Sequence, residues 1–317
     1  METIYFLVQQ TMLFSIPLLL VALGGMFSER SGVVNIALEG IMIIGAFTGI
    51  FFISRFGNLF SPTITLFIAI IISALSGLIF SLLHAYASIN MSADQVISGT
   101  ALNIFAPAFA IYVTRAIQVV QQISFVNNFR IESVPVLGNI PIIGNLLFKN
   151  AYITTYFGFI ILILSWFLLY KTRFGLRLRS CGEHPQAADS VGINVYKTRY
   201  FGVAISGALA GIGGLVFVIP TSTNFNATVA GYGFLALAVL IFGQWKPIRI
   251  LYAAFFFGLM KTLASAYSGI PILSNLPISN SVYKMIPYIT TIIVLAFTSK
   301  NSQAPKASGL PYDKSVR

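Results

Sequence analysis

The chain has 317 residues, a formal net charge of +11, 57% hydrophobic side chains and 9% charged ones. Runs free of Asp, Glu, Lys and Arg extend from Thr3 to Ser28, Phe56 to Ala93, Asn150 to Tyr170 and Tyr200 to Trp245. They exclude a soluble protein, whose surface helices need a polar face, and a membrane barrel, whose strands are short and alternate.

A stretch of about 20 apolar residues crosses a bilayer as a helix, with its backbone groups paired inside the segment. The sequence therefore predicts an all-α polytopic membrane protein with eight to ten transmembrane helices in one domain over residues 1–317. Spans are expected near residues 5–27, 33–54, 62–83, 95–113, 151–170, 200–220, 229–244, 248–267 and 282–299. The first reads as a retained span, since no basic residue precedes it and no polar cleavage region follows.

Span two carries Asn35 and Glu39, one helical turn apart, then Gly45 and Gly49 at the G-x-x-x-G spacing that brings helices close. Two roles are open to Glu39: contact with solute, or pairing with Arg30 or a backbone group. Asp94 is placed to cap span four, and the Asn103 amide within that span needs a partner at membrane depth. Residues 114–150, with Pro135 and Pro141, form an expected extracellular loop containing a small hairpin or a short helix. Gly207 and Gly211 in span six repeat the packing spacing.

Span seven is short and opens at Gly231 and Gly233, as a broken or re-entrant element would. Discontinuous apolar segments mark solute sites in transporters. The stretch TSTNFNATVAGYGF, residues 221–234, together with span two, therefore supplies the candidate solute contacts Asn35, Glu39, Asn103, Asn224, Phe225, Asn226, Tyr232 and Phe234. Phe225, Tyr232 and Phe234 could stack on a flat ring while Asn224 and Asn226 bond its edge, or the aromatics could form an interfacial belt.

Loop charges set the orientation. With the 171–199 loop and the 300–317 tail in the cytoplasm, thirteen of the 19 basic residues fall inside and five outside, Lys261 lying within a span. Nine spans then put the N-terminus outside. This one-sided pattern accounts for the positive charge without nucleic acid. Cys181 is alone and can form no internal disulfide; His84 and His184, expected at loop edges, have no partners at metal spacing, so no metal is expected. No Gly-Lys dipeptide occurs, which excludes a G-x-x-x-x-G-K-[ST] phosphate loop and argues against an enzyme.

The stretch SCGEHPQAADSVGINVYKTR, residues 180–199, is a polar insert between two apolar spans. Pro185 suits a first helical position, Gln186 to Val191 can continue the helix, and Gly192 suits a left-handed stop. The small side chains of Ala187 and Ala188 let another surface approach, and Glu183 and Asp189 could pair with basic groups across an interface. Glu183, Ala187, Ala188 and Gly192 resemble the coupling-helix motif of ABC importer permeases. The string GLRLRSCGEHPQAADSVGINVYKTRYFGVAISGALAGIGG is similar to the branch serving simple sugars, nucleosides and branched-chain amino acids. FSERSGVVNIALEGIMIIGAF, residues 27–47, resembles the opening of nucleoside permeases, and GYGFLALAVLIFGQWKP, residues 231–247, is a third match.

The resemblance implies a multi-pass permease subunit of the cell (cytoplasmic or inner) membrane that carries a nucleoside or related small polar solute. It further implies no cofactor in this chain: ATP and Mg would sit on separate ABC ATPase subunits, whose groove would receive Glu183, Pro185, Ala187, Ala188, Asp189 and Gly192. A second permease chain, forming a heterodimer, and an extracellular or lipid-anchored solute-binding protein complete the implied assembly. Members of the family often have Asn where this chain has His184, so a weaker start to the coupling helix is expected. A permease for a simple sugar such as ribose, and an ion-coupled secondary transporter, are the alternatives; the latter would need more ionisable groups in its spans than Glu39 and Lys261.

Overall fold

The computed structural model describes residues 2–134, 138, 140, 144–267, 279–298 and 303–314. Pro135, Pro141, Lys300 and Arg317 lie outside the described residues. Helices α1 (Glu2–Arg30), α2 (Leu38–Phe56), α3 (Pro62–Ile89) and α4 (Gln95–Gln118) form the first half. After the strands β1 (Ile123–Ser124), β2 (Arg130–Ser133) and β3 (Lys149–Tyr152) come α5 (Ile153–Lys171), α6 (Arg173–Glu183), α7 (Pro185–Ser190) and α8 (Val195–Thr221). Strand β4 (Asn224–Phe225), α9 (Tyr232–Phe242), α10 (Pro247–Ala266) and α11 (Asn280–Thr298) complete the order.

Among the described residues, α1 to α5, α8 and α10 are the seven helices long and apolar enough to cross a membrane. Helix α9 has 11 residues, about 16 Å at the helical rise, so it covers roughly half of the hydrocarbon thickness. The expected broken span is present.

Boundaries differ where side chains outside the apolar pattern set them. Span two starts at Leu38, so Asn35 lies in the preceding turn and is not one helical turn below Glu39. Helix α3 continues past residue 83 to Ile89, which moves His84 from an expected loop edge to a fully buried site within the helix. Helix α4 runs to Gln118, five residues into the expected loop, and begins where expected, with Asp94 accepting from Val96 N at 2.8 Å and Ile97 N at 2.9 Å. The loop contains the anticipated hairpin: β2 pairs antiparallel with β3, Arg130 opposite Tyr152.

Helix α8 is the axis of the bundle and α4 its rim, burying 83% and 17% of their central windows. Glycines set the closest contacts. A methyl group on Gly45 of α2 would meet the Gly211 backbone of α8, and one on Gly211 would meet Ser73 and Gly77 of α3. Gly49 abuts Ser73, and Gly207 abuts Ser81 and Gly77. The two G-x-x-x-G pairs are packing residues, as their spacing indicated. Large apolar side chains such as Phe67, Ile79, Ile97, Ile104 and Ile163 remain exposed, which suits a surface bathed in lipid.

Strands β1 and β4 pair with Ile123 opposite Phe225, tying the 222–231 segment to the end of the molecule that carries the hairpin. Helices α6 and α7 lie at the opposite end with Arg30, Trp245 and the 303–314 segment. These ends are called the hairpin face and the α7 face.

Candidate functional site

Between α1 and α2 the chain is unwound over residues 31–37, most of them buried, so their backbone groups need partners within the protein. Side chains from other helices pair it. Gln95 Oε1 accepts from Val34 N at 2.7 Å, the His84 ring nitrogen Nε2 lies 2.9 Å from Val34 O, and Ser98 Oγ lies 2.9 Å from the other ring nitrogen. Asn35 is fully buried; its amide donates to Ser206 Oγ at 2.9 Å and its carbonyl accepts from Ala37 N at 3.1 Å.

Two helix starts are then capped in series by residues from other helices. Helix α2 begins at Ala37 without a side-chain cap of its own. Asn103 of α4 accepts from Gly40 N at 2.7 Å and donates to Ile36 O at 2.8 Å, supplying the missing cap. Helix α9 begins at Gly231, again without a local cap. Glu39 of α2 accepts from Gly231 N at 2.9 Å and from Gly233 N at 2.6 Å, one bond to each carboxylate oxygen. Its negative charge sits on the positive end of the helix dipole. Of the two roles open to Glu39, the backbone partner is the one present, while Arg30 pairs with Glu183 at 3.6 Å and donates to Trp245 O at 3.1 Å. Gly233 is required there, since a side chain would strike the Glu39 backbone.

The remaining residues of the 221–234 stretch separate. Phe225 is buried, 3% exposed, and Tyr232 is 1% exposed, its ring against Phe217 at 3.9 Å and Phe14 at 6.5 Å. Both are core residues here and do not offer open ring faces, because β1 covers one and α8 the other. Asn224 and Asn226 are exposed at the hairpin face, Asn226 in a surface groove with Arg115 and Gln122. Phe234 is 51% exposed on the outside of α9. Sequence reasoning placed these five together; the fold brings none of them to one cavity. A cavity does exist at the hairpin face, between α1, β3, α5, the end of α8 and α10, and Lys261 is among its lining residues.

On the α7 face, Pro185 occupies the first turn of α7, with His184 at its cap making no side-chain bond. Gly192 has φ +84° and donates to Asp189 O at 2.9 Å, while Ile193 N donates to Ala188 O at 3.1 Å. This pair of bonds is the left-handed helix stop anticipated from the sequence. The two alanines face opposite ways. Ala187 is exposed, whereas Ala188 is 3% exposed in a cluster with Cys181, Val195 and Tyr312. Pro185 is buried, Asp189 is half-buried, and Glu183 turns toward Arg30 of its own chain. The outward surface of the helix is therefore His184, Gln186, Ala187, Ser190 and Val191.

Helix α6 and the 303–314 segment had no signal in the hydropathy pattern. Helix α6 lies along the surface, with one of its arginines, Arg179, over the Tyr170 ring at 5.1 Å. The 303–314 segment crosses the α7 face as a strap. Gln303 N donates to Gln244 Oε1 at 2.8 Å, Ala307 N to Gly182 O at 2.8 Å and Gly309 N to Gly32 O at 3.1 Å. Arg199, 1% exposed, donates to Leu310 O at 3.0 Å with its guanidinium beside the Tyr312 ring. Burial pushes the Cys181 thiol above its ordinary value, with a smaller opposing effect from its bond to Thr198. Among the described residues, no group of three His, Cys, Asp or Glu could hold a metal ion.

The profile of the family described as "Branched-chain amino acid transport system / permease component" matches residues 7–295. The chain is 43% identical to the nucleoside ABC transporter permease protein NupC of Lactococcus lactis subsp. cremoris, over 99% of this chain and 98% of that one. It is 44% identical to the guanosine ABC transporter permease protein NupQ of Bacillus subtilis, over 98% and 97%. Likeness to the putative glucose ABC transporter permease protein TsgC13 of Haloferax volcanii is lower, 29% over 88% of this chain and 87% of that one. No solved structure matches.

Proposed function

We propose that this chain, which belongs to the branched-chain amino acid transport system / permease component family, forms part of the membrane path of an ATP-driven importer whose solute is a nucleoside. The observation that carries the solute class is likeness above 40% across nearly the whole of a nucleoside and a guanosine permease, against 29% for a putative glucose permease. The α7 face is cytoplasmic in this reading, because Arg30 and the basic residues of 171–199 gather there.

ATP and Mg are bound by separate ATPase subunits, and α7 is the element they grip. A six-residue helix with a left-handed stop, seated on Cys181 and Tyr312 and exposing Ala187, offers a short rigid projection. A membrane path without a phosphate loop can take up conformational work only through such contact. A second permease chain and a solute-binding protein on the hairpin face complete the assembly.

The test is uptake in proteoliposomes holding this chain with its ATPase subunits and second permease. Labelled guanosine should accumulate only with ATP, be displaced by unlabelled nucleosides and be unaffected by ribose or leucine. Competition by ribose or leucine alone would move the chain to a sister branch; accumulation driven by an ion gradient without ATP would make it a secondary carrier.

A further inference from the structure

The cavity at the hairpin face has a volume of about 490 Å³, within the roughly 300–1,000 Å³ typical of small-molecule sites. Its chemistry is one-sided. Phe14 of α1 and Phe217 of α8 provide apolar walls, Gln10 a neutral amide, and Arg130, Lys149 and Lys261 three cations. Among the described residues no carboxylate lines it.

Lys261 is the informative member. It lies on α10, a span, and its ammonium sits 5.8 Å from the centre of the Tyr232 ring, with no carboxylate partner among the described residues. An ammonium within a span is costly unless it borders water or a ligand, and it is then a mark of a solute path. Among the described residues Arg130 uses only its Nε in a hydrogen bond, toward Asn150 O at 3.1 Å. Lys149 stands on the neighbouring strand.

Such walls supply donors and positive charge. Nucleobases differ in what their exocyclic groups offer: a carbonyl oxygen accepts, whereas an amine donates. The 6-oxopurines present two acceptors, O6 and N7, that suit Lys or Arg; adenine presents a donor in place of O6. Uracil and cytosine differ in the same sense at the 4-position.

The geometry points to this cavity as the receiving site for the solute, with Lys261 selecting nucleosides of oxo-bases over those of amino-bases. The inference rests on the nucleoside reading above and adds the specificity and its residue. Phe14 and Phe217 take the flat base, and the cations turn its acceptor edge toward α10 and the hairpin. An amino-base in the same pose sets a donor against a cation and leaves both unpaired.

Two pairs that differ at that group and in the protonation of the adjoining ring nitrogen test it: inosine against adenosine, and uridine against cytidine, each as ATP-driven uptake by the full complex in proteoliposomes. Wild type should favour inosine and uridine by about tenfold. In Lys261→Met, which keeps the side-chain length, the preference should fall to about twofold, while Lys261→Arg retains it. Should Lys261→Met be lost from the membrane, Arg130→Gln on the hairpin provides the second reading and should weaken the preference as well. Equal use of both members of each pair by wild type, or an unchanged preference in Lys261→Met or Arg130→Gln, would overturn the assignment while leaving nucleoside transport standing. Absence of ATP-driven uptake for all four nucleosides would instead overturn the nucleoside reading.

Discussion

The amide of Gly233 on α9 donates to Glu39 Oε2 on α2 at 2.6 Å, joining residues 194 positions apart through a carboxylate that has no basic partner among the described residues. With the Gly231 bond beside it, this contact fixes where the half-length helix α9 starts. Asn103 performs the corresponding task for α2.

Glu39→Ala should therefore destabilise the protein by about 2 to 6 kcal/mol, since two buried amides lose their acceptors at roughly 1 to 3 kcal/mol each. Glu39→Gln, with one acceptor oxygen and no charge, should lose about half as much. Melting of the detergent-solubilised chain, followed by fluorescence-detected gel filtration, reads both; an Ala variant that melts with wild type would refute the cap.

Asn103→Leu should cost a similar amount by orphaning Gly40 N and Ile36 O, about 1 to 3 kcal/mol for each group. Because Glu39 lies in the first turn of α2, the turn that Asn103 caps at Gly40, the double variant should be less destabilised than the sum of the singles. A melting series of the four proteins gives that interaction directly, and strict additivity would show two independent caps.

The two alanines of α7 should separate when each is changed to Arg. Ala187→Arg, on the exposed side, should leave the amount in the membrane normal and reduce retention of the ATPase subunits during purification. Ala188→Arg has no space beside Cys181 and Tyr312, and should lower the folded amount as well. Gly192→Val meets no atom within 4 Å, so its effect should come from the φ of +84° alone and be a loss of coupling at normal abundance. Equal retention of the ATPase subunits by Ala187→Arg and wild type would exclude that face as the contact.

Cys181 should react slowly with maleimide in the folded protein: it is buried, and its raised thiol pKa leaves less thiolate at neutral pH. Raising the pH increases the thiolate fraction but not the access. Tyr312→Ala, which loosens the strap over Cys181, should speed labelling at pH 7; an unchanged rate would show that the strap does not shield this thiol.

Orientation can be read by labelling single cysteines from outside in a Cys181→Ala background. A probe at Asn128, exposed near the hairpin, should be marked in intact cells, and one at Ser190, exposed on α7, only after permeabilisation. The opposite pattern would invert the protein in the membrane.

The helices were legible because hydropathy is local: each of the nine expected spans is a helix, and the weak seventh is the short one. Asp94 was legible for the same reason, since its partners are two and three residues away. Glu39 could be narrowed only to two roles because Gly231 and Gly233 are nearly two hundred residues distant. Phe225 and Tyr232 misled because an aromatic near a break in a helix reads alike whether it faces a path or the core; packing against Ile123 and Phe217 decides, and that is tertiary. The strap escaped for want of periodicity, although Tyr312 in a polar tail was a sign that something apolar lay against it.

Where α2, α3 and α8 meet at Gly45, Gly77 and Gly211, backbone touches backbone and no side chain lies between to change rotamer. Sliding of any of the three past the others would lift these contacts all at once, so the trio behaves as a single frame. Close backbone approaches continue outward from that frame: a side chain on Gly40 of α2 would strike Leu102 O of α4, and one on Gly233 of α9 would strike the Glu39 backbone, so α4 and α9 are held in register with α2 by the same device.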